Sequence, residues 1–132
     1  MKFVDDVDID MIAGIGIDLV HIPRMEKLLK KWGMRFKQRV FTGREIAYSE
    51  SHARYEQHFA GNFAVKESFV KALGKEQVRF LDIEILRDEH GKPYINLHGR
   101  AKACAERNEI RIIHTSITHD GEYSMAVVVL ER

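Results

Sequence analysis

A chain of 132 residues, 45% of them hydrophobic, suits one compact domain with a genuine core rather than two. Its longest apolar run, Met125 to Leu130, is strand-sized against the roughly 20 residues of a membrane-spanning helix, and Asp5, Asp6, Asp8 and Asp10 are the opposite of a secretory leader. The lone Cys104 excludes an internal disulfide and suits a reducing cytosol. A net charge of +1 hides a segregation. Arg24, Lys27, Lys30, Lys31, Arg35, Lys37, Arg39 and Arg44 face only Glu26 between positions 24 and 44, so that segment is +7 and the remainder −6. Such a face fits docking of an acidic protein or nucleic acid, or a merely solvated basic helix.

Residues 12–20 alternate with period two, Ala13, Ile15, Ile17 and Leu19 on one face and Gly14, Gly16 and Asp18 on the other. Pro23 then marks a first helical turn, Met25, Leu28, Leu29 and Trp32 follow at helical spacing, and Gly33 is a stop. Thr42 with Glu45 reads as a capping box that opens a second helix. A longer helix spans about 55–73, closed by Gly74, with Phe59, Phe63, Val70 and Leu73 as its core stripe. Runs 80–86 and 93–97 around the turn-rich DEHGK predict a hairpin. A short Ala-rich helix near 100–107 precedes two β-rich runs, 111–118 and 123–131, joined through Asp120-Gly121. A strand, three helices, a hairpin, a short helix and a second hairpin make an α+β domain, an antiparallel sheet packed against helices.

Three groups of residues can carry chemistry. Asp18 sits in an otherwise apolar strand, where a carboxylate is costly to bury alone, and Gly14 and Gly16 beside it leave room for a cation and a phosphate. The competing reading is an Asp that caps the following helix. On the long helix Ala60, Ala64, Glu67 and Lys71 share a face, although Glu67 and Lys71 alone read equally as an ordinary ion pair. In the run 114–119, His114, Ser116 and Thr118 point one way and Thr115, Ile117 and His119 the other. That parity argues against zinc and leaves His119 as a phosphate ligand at the strand end or a histidine satisfied in the core. Trp32 and Phe36 are read as packing inward, and Cys104 as packing.

These segments together resemble the holo-acyl-carrier-protein synthase family of 4′-phosphopantetheinyl transferases. The likeness runs through GIGIDLVHIPR (14–24), RFKQRVFTGREI (35–46), FAGNFAVKESFVKALG (59–74), FLDIEI (80–85), GKPYINL (91–97) and HTSITHDGEYSMAVVV (114–129). The resemblance implies a homotrimer with active sites in the clefts between subunits. It implies a cytoplasmic enzyme that transfers 4′-phosphopantetheine from coenzyme A to a serine of apo acyl carrier protein, releasing 3′,5′-ADP, in support of fatty acid synthesis. By the same resemblance Asp18 and Glu67 hold Mg²⁺, and Glu67 accepts the serine proton. Lys71, His119, Ser116 and Pro93 meet coenzyme A, Lys71 beside the phosphates, and Arg24, Arg35 and Arg39 dock the acidic carrier protein.

The sequence departs from the family pattern at His21, where an acidic residue is common, and in the short KEQVR stretch (75–79), which lacks the usual glycines. The usual family start coincides with Met11, so residues 1–10 form an N-terminal extension and 11–132 the transferase domain. Two alternatives stand beside this reading: the same chemistry on carrier domains of peptide or siderophore synthetases, and a non-enzymatic nucleic-acid-binding protein using the 24–44 face. The preferred reading has no nucleic-acid or membrane partner.

Overall fold

Strand β1 (Ile12–His21) passes directly into helix α1 (Ile22–Trp32), with Pro23 in its first turn and the Ile22 amide bonded back to the Glu122 carbonyl at 2.7 Å. Gly33, at φ 54°, ends α1, its amide donating to the Leu29 carbonyl. The chain then continues as α2 (Met34–Val40), a helix that the sequence pattern does not announce, so four helices and not the expected three precede the first hairpin. Seven residues are too few for a helical pattern to show. Tertiary contacts hold it: Val40 and Phe36 pack in a cluster with Ile22, Met25, Leu29, Phe41 and Phe59.

The computed structural model describes residues 11–74 and 77–132; the extension 1–10 and the first two residues of the 75–79 stretch lie outside them. The capping box is present: Thr42 Oγ1 accepts from the Glu45 amide, and Glu45 Oε1 accepts from the Thr42 amide at 2.8 Å, opening α3 (Gly43–Glu50). Helix α4 (Tyr55–Leu73) follows, with Phe59 buried as read and Phe69, absent from the predicted stripe, buried too. A single 3₁₀ turn at Phe80–Asp82 replaces the first three residues of the predicted strand, because Asp82 turns to accept from Arg79 and His98. Strand pairing begins with β2 (Ile83–Arg87) against β3 (Pro93–Leu97). Helix α5 (Gly99–Arg107) leads to β4 (Ile112–Asp120) and β5 (Tyr123–Glu131).

The main sheet is antiparallel in the order β1-β5-β4, and β2-β3 forms a separate two-stranded sheet, giving the α+β architecture. Helix α4 lies across the main sheet. Ala64, Val65, Phe69 and Ala72 meet Ala126, Val128 and Leu130 of β5, with Ile83 and Ile85 closing the core. Buried Cys104 is packing, as read.

Two sequence expectations are corrected at β1 and α1. The glycine face of β1 is not open space: a Cβ at Gly14 would lie 2.0 Å from the Ala72 carbonyl oxygen, and one at Gly16 1.8 Å from that of Ser68. The backbone of α4 fills the gap. Conversely Ile15, Ile17 and Leu19 are 63%, 55% and 59% exposed, so the apolar face points outward. Trp32 does not pack inward either; it is 47% exposed at the end of α1, where Gly33 redirects the chain. Gly16→Ala is therefore expected to cost at least about 3 kcal/mol in urea unfolding, since the obstacle is backbone and cannot rotate away. A change below about 1 kcal/mol would show that α4 can lift off β1.

The first lysine of Lys66-Glu67-x-x-x-Lys71 is structural. Lys66 and Glu45 are both fully buried and paired at 2.9 Å, and Lys66 Nζ also donates to the carbonyls of Phe80 and Ile83. Glu45 Oε2 accepts from the Ile85 amide at 3.1 Å, so one ion pair joins α3, α4 and β2.

Candidate active site

Because β1 is pressed onto α4 by its glycines, the side chain that follows them on the same face, Asp18, arrives beside α4. Glu67 and Lys71 stand one turn apart there. Lys71 Nζ donates to Asp18 Oδ1 at 3.0 Å and to the Ile17 carbonyl at 2.9 Å. Burial pushes the Glu67 carboxyl above its ordinary range, the nearby negative charge of Asp18 adds to this, and Lys71 opposes it. Two carboxylates 49 positions apart in sequence thus converge to within electrostatic reach. They line a cleft of about 450 Å³ together with His21, Arg24, Phe63 and Tyr123.

His21 stands at the rim of this cleft, its ring 5.2 Å from that of Tyr123 and Nε2 3.4 Å from Glu122 Oε2. The β4–β5 turn thus places the Glu122 carboxylate beside His21. Among the described residues no group of three or more His, Cys, Asp or Glu comes together as a metal cage. The donor set at Asp18 is two carboxylates, which suits a hard ion that keeps waters and takes phosphate oxygens.

The other predicted coenzyme A residues, His119, Pro93 and Ser116, lie elsewhere. His119 sits toward the opposite end of α4, roughly 14 Å along the helix axis if Glu67 is measured to His58 at 1.5 Å per residue. Its Nδ1 is 2.6 Å from Ser124 Oγ, and its ring centroid is 6.4 Å from that of His58. Burial lowers the His119 pKa, and the charges of Arg87 and Arg54 lower it further. Burial likewise brings His58 down to about 4, with His52, Arg87 and His119 adding to it. Arg87 donates to Asn62 Oδ1 at 3.1 Å and lies over the Tyr48 ring at 4.7 Å. Arg87 Nη1 and Asn62 Nδ2 are buried with no hydrogen-bond partner among the described residues. These donors around His119 favour an anion.

Sequence reasoning missed Arg54, His58, Asn62 and Arg87. The signal it had was the four-residue spacing of Arg54, at the N-cap of α4, with His58 and Asn62 on the helix; nothing local linked Arg87 to them. Pro93 belongs beside this cluster, since it pairs with Arg87 across the β2-β3 hairpin. Ser116 belongs to neither site. It lies on the outward face of the main sheet, opposite Val127 and near Ile17 and Met125. His114, on that face too, bonds Glu131 at 2.9 Å.

The basic segment divides as well. Lys30 is paired with Glu26, Lys37 with Glu50 and Arg44 with Glu84. Arg24, Lys27, Arg35 and Arg39 form no ion pair among the described residues. Arg24 lines the carboxylate cleft, whereas Arg35 and Arg39 flank Trp32 and Phe36 in a separate depression of about 530 Å³.

The model of the 4′-phosphopantetheinyl transferase superfamily matches residues 14–128. A holo-[acyl-carrier-protein] synthase of Halothermothrix orenii is 42% identical over 124 residues, covering 92% of this chain and 99% of the relative. The crystal structure of holo-[acyl-carrier-protein] synthase from Neisseria meningitidis superimposes with a TM-score of 0.84 at 32% identity, covering 92% of this chain and all of that one. That of the Helicobacter pylori synthase in complex with coenzyme A gives 0.78 at 35% identity, over 88% and 98% of the two chains. These relatives favour neither the peptide-synthetase alternative nor the nucleic-acid-binding one.

Proposed function

The chain belongs to the 4′-phosphopantetheinyl transferase superfamily, and from that membership we propose that it transfers the 4′-phosphopantetheine arm of coenzyme A to a serine of apo acyl carrier protein, in support of fatty acid synthesis. The observation that carries this reading is the convergence of Asp18, Glu67 and Lys71 in one cleft.

Asp18 and Glu67 would hold Mg²⁺. The fit is supported by the charge of Asp18, which adds to burial in lifting the Glu67 carboxyl and which a divalent cation between the two would offset. When bound, the ion offsets negative charge on the pyrophosphate. The serine Oγ forms a bond to the pantetheine-bearing phosphorus as the bond from that phosphorus to the 3′,5′-ADP oxygen breaks. Glu67, beside the cation, accepts the serine proton. Lys71 turns from Asp18 toward the departing bisphosphate and neutralises part of its charge. Coenzyme A phosphate binding falls to His119 with Arg54 and Arg87, and Pro93 borders them.

The separation of this donor cluster from the carboxylates along α4 supports sites shared between copies. So does the outward apolar face of Ile15, Ile17, Leu19 and Met125, with Ser116 on it. A homotrimer that buries this face accounts for both, and brings Ser116 to the cofactor from a neighbouring copy. No described helix is long and apolar enough to cross a membrane, and a single buried cysteine suits the cytoplasm as the working compartment. Residues 11–132 form the transferase domain in this reading.

Mass spectrometry of an apo carrier incubated with the protein, coenzyme A and Mg²⁺ is expected to show a gain of one phosphopantetheine that chelator abolishes. An unmodified carrier under those conditions would sink the proposal. Arg24, Arg35 and Arg39 dock the acidic carrier. Reversing Arg24 and Arg39 to Glu should therefore slow association with the carrier about tenfold at low salt and flatten its salt dependence. Unchanged association and salt sensitivity would place the carrier elsewhere.

A further inference from the structure

Ser124 is fully buried on β5, yet its hydroxyl reaches the one imidazole that the preceding reading places at a phosphate. The contact is short, 2.6 Å to His119 Nδ1, while the alternative acceptor, the Gln57 carbonyl, lies 3.4 Å away. The 2.6 Å contact forms in either direction, but the Gln57 carbonyl is distant and lies within the hydrogen-bond ladder of α4, which makes it the poorer acceptor for the hydroxyl proton. With Nδ1 assigned as the acceptor, the ring proton resides on Nε2. The ring lies close over Gly61 of α4, where an added Cβ would fall 3.1 Å from Cε1.

We infer that Ser124 is a positioning residue that fixes His119 in the Nε2–H tautomer, so that a neutral imidazole presents a hydrogen-bond donor to a phosphate of coenzyme A. The charges facing the ring explain why a neutral donor is needed there. Arg54 from the start of α4 and Arg87 from β2 already supply positive charge, and His58 of α4 stands beside them. A third cation among them would be repelled in the free protein, whereas an oriented N–H adds a directional contact at no such cost. Gly61 and Ser124 thus act on the ligand through His119 and not by touching it.

This role rests on the coenzyme A reading of His119, and the two can fail separately. ¹⁵N-histidine NMR of the free protein at pH 7 should report His119 as neutral and protonated on Nε2. Ser124→Ala should shift that signal toward a tautomer mixture. It should also weaken coenzyme A binding about tenfold, the equivalent of one lost hydrogen bond, with kcat at saturating coenzyme A and the melting temperature little changed. A wild-type His119 protonated on Nδ1 or cationic would overturn the inference, as would Ser124→Ala that alters neither tautomer nor affinity while His119→Ala does weaken binding. Unchanged coenzyme A affinity in His119→Ala would instead remove the phosphate role of His119 itself, and the function of Ser124 with it.

Discussion

Glu67→Gln is expected to reduce transfer to apo carrier by about a thousandfold while leaving the protein at least as stable as before. The rate loss follows from removing the proton acceptor and one of two carboxylates that would grip the cation; general base catalysis alone is worth about 10²–10⁴. The stability change has the opposite sign. The Glu67 carboxyl is raised by burial and by Asp18, so its favourable contribution is present below the unfolded pKa and lost as pH rises through the folded one. At neutral pH the ionised group opposes folding, and an uncharged isostere removes that opposition. Single-turnover mass spectrometry and thermal melts at pH 7.5 test both halves. Activity within tenfold of wild type would take Glu67 out of the chemistry, and a large drop in melting temperature would make it a structural residue.

Lys66→Met should behave in the reverse way and unfold the domain without touching the reacting groups. It leaves Glu45 fully buried without its counter-ion and frees the carbonyls of Phe80 and Ile83. Breaking a buried pair by removing one partner costs about 3–5 kcal/mol, a large share of the roughly 5–15 kcal/mol that stabilises an ordinary domain. The pair Lys66→Met with Glu45→Leu should recover part of that loss, since no charge is then stranded. Denaturant melts of the two single variants and the double form the cycle. Additive losses would mean that the two side chains do not act as a unit. Lys71→Met, on an exposed side chain, should change stability by less than about 1 kcal/mol. Two lysines of one short signature thus have unrelated jobs.

That contrast shows where reading the sequence succeeded and where it stopped. Thr42 and Glu45 announced their own capping box because both partners lie within one turn. Asp18, Glu67 and Lys71 stood out from strand parity and helix spacing, their roles came from the family likeness, and the structure brings all three together. The burial of Lys66 was not visible, since Glu45 reaches it from 21 positions away. Nor was the Arg87–Asn62 contact, which joins a strand to a helix 25 positions apart. Arg24 was grouped with Arg35 and Arg39 by the family likeness, yet past the turn at Gly33 the last two line a different depression.

The order and type of nearly all elements, and the α+β class, were determined by the sequence alone, because helix caps, turn residues and hydrophobic periods act over a few residues. Tertiary structure alone decided which side of β1 is inward. Period-two alternation declares two faces and cannot say which is covered, and here two glycines let a helix backbone come closer than any side chain would allow. That approach turns the isoleucines outward and sets Asp18 against Glu67, so the site exists only once the strand and the helix have docked.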